Sequence, residues 1–224
     1  GLALSSDGQR IVVADSTAGT GGGLYVVSAT GGAPTLIPGT AGTAPQGVEV
    51  ITQDGADQVY FTGASSNGPA AVFRIPLAGG ALTTLAQGGM LSHPQGVTVT
   101  RAGVVYVADR ADPATGVGAV YRVQGNAVTP VVNNVRLGDP AGLALAPDDS
   151  VLGVSSLDTR NGTCQVLLIN LATGMTRVFN TVIGANRAAG GVHRAHGGAS
   201  TDLAWADLTA GTAGGGLVYR IQFK

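Results

Sequence analysis

The chain has 224 residues, a formal net charge of −1, 11% charged residues, 44% hydrophobic residues, only 4% aromatic residues and 37 glycines. So low and balanced a charge excludes the basic stripe that holds nucleic acid by counterion release, and no apolar run approaches the roughly 18 residues that span a bilayer. What remains is one all-β domain spanning 1–224, with a core of Val, Leu, Ile and Ala and its glycines spent on turns.

The first residues carry neither a basic stretch nor an apolar segment of the secretory type. We therefore expect a soluble domain, and the low charge and Gly/Ala/Thr-rich loops point to an extracellular or periplasmic place. The lone cysteine, Cys164, cannot close an internal disulfide and reads as a small apolar residue of a strand.

Repeats organise the chain. A glycine followed by an alternating apolar run occurs at Gly1, Gly47, Gly96, Gly142 and Gly191, giving spacings of 46, 49, 46 and 49 residues. The first repeat, 1–46, reads as a strand at Gly1 to Leu4, a turn at Ser6-Asp7-Gly8 and a strand from Ile11 to Ala14. A Gly-rich loop, a strand from Leu24 to Val27 and a turn at Thr30-Gly31-Gly32 follow. Glycine at such turns supplies positive φ without steric cost. The second repeat, 47–95, has the same series, with strands at Val59 to Thr62 and Val72 to Ile75 and a turn at Ala78-Gly79-Gly80. The third (96–141) and the fifth (191–224) match directly, since Val105 to Gln124 and Leu203 to Gln222 share eight of twenty residues without a gap. The fourth, 142–190, offers Val166 to Asn170 and a turn at Thr173-Gly174.

Four short antiparallel strands in each unit of this length predict the blades of a β-propeller. Helical periods between the strands, which a barrel or a doubly wound sheet would need, are missing. The fifth repeat stops after its third strand, so the expectation is a five- or six-bladed ring belonging to a longer chain that extends before Gly1.

The lead-in segments Pro45-Gln46-Gly47-Val48, Pro94-Gln95-Gly96-Val97 and Asp139-Pro140-Ala141-Gly142-Leu143 each run into a strand, a turn and a second strand ending in Ala-Asp or its equivalent, as at Val107-Ala108-Asp109. In this spelling the chain resembles the NHL-repeat and SMP-30/gluconolactonase-like propellers. The resemblance implies that the Gly-Val-x-Val strand is innermost, beside a central channel. It also implies that the lead-in loops and the loops after each second strand share one face, the default binding surface.

Candidate sites follow from the places where the repeats carry polar side chains. Asp15, Asp109 and Asp207 end second strands at matching positions, with Gly63 and Ser156 in the other repeats. As oxygen ligands they could hold calcium at the channel rim; as Asx-turn residues they cap their own loops. His93, just before Pro94, is the histidine that the resemblance to amidating lyases offers as a zinc ligand, with Asp139 as its companion. Arg110 follows Asp109 and joins these residues as a ligand-binding candidate. Gly191-Val192-His193-Arg194-Ala195-His196 departs most from its siblings. Its His193, Arg194 and His196 could recognise an anion or exchange protons near neutral pH, or the segment is a degenerate edge blade that is simply exposed.

Other polar residues read as structure. Asp112-Pro113 and Asp148-Asp149 suit turns, and Arg74, Arg122 and Arg220 share one third-strand position with stems packed along their neighbours. Asn161-Gly162-Thr163 spells a glycosylation sequon, and Trp205 reads as core. The lactonase resemblance would place a Glu beside a Gly-Pro in an early loop, whereas Glu49 lies inside a strand. The leading expectation is a non-catalytic binding or interaction propeller whose loop face meets a protein, peptide or carbohydrate. The alternative is a metal-dependent hydrolase or lyase using Asp109, Asp139, His93 and His193, with a divalent cation, calcium or zinc, in the channel.

Overall fold

The computed structural model describes residues 1–65, 68–180, 189–194, 202–207 and 216–222. Every element among them is a β-strand, and none of them forms a helix long and apolar enough to cross a membrane. The fold is that of a β-propeller, with one antiparallel sheet for each repeat.

The first sheet runs in the order β1 (Leu2–Leu4), β2 (Arg10–Asp15), β3 (Gly23–Ser28), β4 (Thr35–Leu36), and the second is β5 (Val48–Gln53), β6 (Ala56–Ala64), β7 (Ala70–Pro76), β8 (Thr83–Gln87). The third holds β9 (Pro94–Val99), β10 (Val105–Asp109), β11 (Val117–Gln124) and β12 (Ala127–Arg136), again in chain order. The fourth is β13 (Leu143–Leu145), β14 (Val151–Leu157), β15 (Cys164–Asn170), β16 (Thr176–Asn180). The described residues of the fifth give three strands, β17 (Ala189–Arg194), β18 (Asp202–Asp207) and β19 (Leu217–Gln222). The chain divides into two compact units, Gly1–Val107 with Arg122–Thr129, and Ala108–Tyr121 with Pro130–Lys224.

Turn glycines behave as their chemistry requires. Gly31 and Gly32 (φ 99° and 128°) and Gly79 and Gly80 (φ 86° and 133°) turn the hairpins that join third to fourth strands. The glycines that open the innermost strands do something else. At Gly47 an added Cβ would lie 2.0 Å from the Gln95 carbonyl oxygen, and at Gly142 it would lie 2.2 Å from the Val192 nitrogen. Neither has a positive φ; each is glycine because the first strand of the next sheet passes where a side chain would stand. In the first unit β1, β5 and β9 are successive neighbours, and in the second β13 lies beside β17.

Apolar residues from facing sheets fill the space between them. In the first unit Val12, Leu24, Val48, Val50, Val59, Phe61, Phe73 and Ile75 form one buried cluster, with the Phe61 and Phe73 rings 5.1 Å apart. In the second, Cys164, Val166, Val192, Leu203, Trp205 and Ile221 form another, and the Trp205 ring stacks on Tyr219 at 5.3 Å. Cys164 is fully buried on β15.

Gly47→Ala and Gly142→Ala are each expected to destabilise the fold by about 3 kcal/mol, the upper part of the usual range for overpacking. Gly174→Ala, at φ 70° with nothing within 4 Å of an added Cβ, should cost only about 1 kcal/mol from backbone strain. Urea unfolding of the three variants checks this, and equal costs would refute close approach as the reason for the glycines.

Candidate functional site

Because the strands alternate in direction, the end of each second strand and the lead-in to the first strand of the same sheet lie side by side. In the second sheet the Gln46 N–H donates to the Thr62 carbonyl at 2.9 Å and the Ala64 N–H to the Thr43 carbonyl at 2.9 Å. Thr62, fully buried, ties this end together: its hydroxyl accepts from the Gly47 N–H at 3.0 Å and donates to the Gln95 carbonyl at 2.9 Å. The neighbouring Gly63 has no room for a side chain, since an added Cβ would lie 2.3 Å from the Thr43 carbonyl oxygen. Crowding explains why this repeat has glycine where others have aspartate.

In the second unit the same end of the structure gathers Asp109, Arg110 and Asp139. Asp109 closes β10 and is fully buried. The Arg110 guanidinium meets the Asp139 carboxylate at 2.7 Å, with side-chain exposures of 11% and 72%, and its Nη2 donates to the Pro113 carbonyl at 3.0 Å. Gly116, at φ 76°, makes room, because an added Cβ would lie 3.1 Å from the Leu137 carbonyl oxygen and 3.5 Å from Arg110 Nη2. Arg136 Nε donates to the Thr115 carbonyl at 3.2 Å, and the Leu137 N–H to the Gly116 carbonyl at 2.8 Å. The peptide bond between Asp139 and Pro140 is cis.

The loop that follows is held by Asp112. Its Oδ2 accepts from the Thr115 hydroxyl at 2.6 Å and its Oδ1 from the Ala114 N–H at 2.9 Å. The Thr115 hydroxyl, then these backbone donors and more weakly the Arg110 charge, hold the carboxyl below the usual aspartate value. Burial, and then the charge of Asp109, push the Tyr121 phenol upward.

Asp15 occupies in the first repeat the position of Asp109 in the third. Its Oδ1 accepts from the N–H and hydroxyl of Thr17, both at 2.9 Å, and from the Ala18 N–H at 3.0 Å, which lowers its pKa. Asp207 is buried at the end of β18. His93 is exposed in the lead-in to β9. On β17, Val192 points into the core while His193 is exposed and Arg194 half-buried; the His193 imidazole lies back over Gly191, whose added Cβ would be 2.9 Å from Nε2. His196 lies outside the described residues.

Among the described residues no three His, Cys, Asp or Glu side chains come together as a set able to hold a metal ion. Asp15 is engaged by its own loop, Asp139 by Arg110, and Asp109 and Asp207 are buried at strand ends. Sequence reasoning brought Asp109, Arg110 and Asp139 forward but missed Thr62 and Thr115. Thr62 looks like any strand threonine in a Thr-rich chain, while Asp112-x-x-Thr115 has the spacing of an Asx loop and was legible as one.

No protein-family model matches the sequence, and no curated protein matches it. Among solved structures, the chain is similar to a gluconolactonase from Xanthomonas campestris, with 20% identity and a TM-score of 0.64 over 99% of this chain and 75% of that one. It is also similar to TolB from Acinetobacter baumannii, with 15% identity and a TM-score of 0.60 over 92% of this chain. The chain spans about half the length of that TolB, 51% of it. What is shared at these identities is the propeller fold.

Two outcomes test the loop-face geometry. Arg110→Ala should cost about 2 kcal/mol, because it removes a buried stem and a charge-assisted bond, while Asp139→Asn should cost less than about 1 kcal/mol, as for an exposed partner; equal costs in chemical unfolding would contradict this. A carboxyl whose pKa is lowered by folding stabilises the folded loop above the unfolded value near 3.9 and loses that contribution as pH falls through the lowered value. Thr115→Ala should therefore raise the Asp112 pKa towards the ordinary range, as read from its carboxyl carbon by NMR, and an unmoved titration would show that the hydroxyl is not the main cause.

Proposed function

We propose that this chain is a binding module that presents its loop face to a protein, peptide or carbohydrate partner, in an extracellular or periplasmic setting. One observation supports this most: the loop-face carboxylates Asp15, Asp112 and Asp139 are spent on holding the loops. Asp15 is engaged by Thr17 and Ala18, Asp112 by Ala114 and Thr115, and Asp139 by Arg110. Such bonds stiffen loops on a rigid sheet scaffold, which favours recognition by preformed shape. A general acid–base pair would instead need carboxyl or imidazole groups converging on a shared space.

The second reading is a metal-dependent lactone hydrolase. Its support is the likeness to the gluconolactonase over 99% of the chain, and the lead-in residue Asp139 would belong to it. Fold alone carries no chemistry with it, so the loop-face geometry is given more weight.

Hydrolysis of glucono-1,5-lactone, followed by base uptake with and without added calcium, magnesium, manganese and zinc, separates the two. The binding reading expects the background rate throughout, and the same rate from Asp139→Asn. A cation-dependent acceleration that Asp139→Asn abolishes would replace it with the hydrolase.

A further inference from the structure

We propose that the first sheet associates through its open face with the same face of a second copy of this chain, forming a symmetric dimer. The proposal does not depend on the loop-face reading, because it rests on a sheet face rather than on loops. Successive side chains of β2 and β3 alternate between the two faces. Val12, Ala14 and Leu24 enter the core shared with the second sheet, while Ile11, Val13, Tyr25 and Val27 point the other way. Two rows cross that open face on the ladder, Leu2 beside Val13 beside Tyr25 and Leu4 beside Ile11 beside Val27.

The second sheet shows what such a face is for. Its rows Val48, Phe61, Phe73 and Val50, Val59, Ile75 occupy the same ladder positions, and all six residues are buried in the cluster that packs on the first sheet. In the first sheet the equivalent six are half-buried or, at Leu2, 58% exposed. The open face therefore repeats the pattern of an interface that the same fold already packs. Beside the Tyr25 row, Val13, Asp15, Ala18, Tyr25, Val27 and Pro34 line a cleft of about 320 Å³, wide enough for a protruding aliphatic side chain.

Charge and extent select a second copy. The rows carry no charge. At their rim stand the Asp15 carboxylate, held by Thr17 and Ala18, and the Gly1 ammonium that attracts it, so two such faces meet without a net opposing charge. With strands about 4.8 Å apart and a rise of about 3.3 Å per residue, two copies withdraw on the order of 1,000 Å² in all, the low end for specific association. A two-fold axis parallel to β2 lays β1 of each copy over β3 of the other, with the sheets about 10 Å apart. Leu2 then stands over the Tyr25 row of the second copy and enters its cleft, and the exchange is reciprocal, as a two-fold contact requires.

Sedimentation velocity of the whole chain from about 1 to 200 µM, around the dissociation constant that so small an interface allows, tests this. Expected are a reversible shift from monomer to dimer, and dimerisation weakened about tenfold or more by Leu2→Lys and by Val27→Lys, each with an unchanged melting temperature in dilute solution. Leu2 is the most exposed of the six, so its variant keeps the test valid even if Val27→Lys unfolds. Val218→Lys, on β19 and 74% exposed, should dimerise as the unaltered chain does. A chain that stays monomeric throughout overturns the proposal, as do assembly beyond the dimer, full dimerisation of folded Leu2→Lys, or an equal loss in Val218→Lys, which would move the contact to the fifth sheet.

Discussion

The structure depends on a contact between backbones. Where the innermost strands at Gly47 and Gly142 start, the next one passes so closely that a Cβ cannot stand between them: Gly47 against the Gln95 carbonyl in the first unit, Gly142 against the Val192 nitrogen in the second. The approach lets Thr62 bond at once to its own sheet through Gly47 and to the next through Gln95. It also fixes which positions can carry chemistry. Beside the Gly47 anchor the Thr62 hydroxyl fits, while its neighbour Gly63 has no room for a side chain.

The loops are stabilised largely by their own polar side chains. With so few charges, the chain places them where they satisfy backbone donors: Asp15, Asp112, Asp148 and Asn170 each accept from an N–H two residues on. Arg110 works from inside the fold, its guanidinium joined to Asp139 and Pro113. Its charge need not be expensive to bury, because one partner is a carboxylate open to water, which retains much of its hydration while neutralising the guanidinium. The arrangement makes a firm surface.

Much of the fold was legible in the sequence because propeller strands are short and their turns are chemically specific. The hairpins at Gly31-Gly32 and Gly79-Gly80 are positive-φ positions that only glycine fills cheaply, and the alternation in Arg10–Asp15 survives as alternating burial. In β10 it disappears because every residue is buried. The anchor glycines stood out as a repeat signal, but their cause is a contact between residues about one repeat apart, which no local pattern expresses. Depth was equally hidden. Asp15 and Asp109 are equivalent in the repeat, yet one is partly exposed and engaged by its loop while the other is fully buried, and Asp112 caps the loop that follows it. The ion pair of Arg110 with Asp139 joins two repeats and leaves no trace in either.

The three arginines of the third strands carry the same lesson towards function. Arg122 is exposed and bonds to Gln124, and Arg220 is paired with Asp202. Arg74 instead faces a cleft bounded by two tight turns. Repetition gives each blade an equivalent position, but the turn lengths and the residues on the neighbouring strands decide what a charge there meets. At the lead-in end the backbone contact draws loops together and uses up their polar groups. At the far end the strands of each sheet close in hairpins, and Arg74, still paired in the ladder with Tyr60 and Thr83, stands two residues before its strand ends. A propeller built on glycine contacts at its inner edge can thus differentiate at the other end of its blades, through single residues whose replacement leaves the packing untouched.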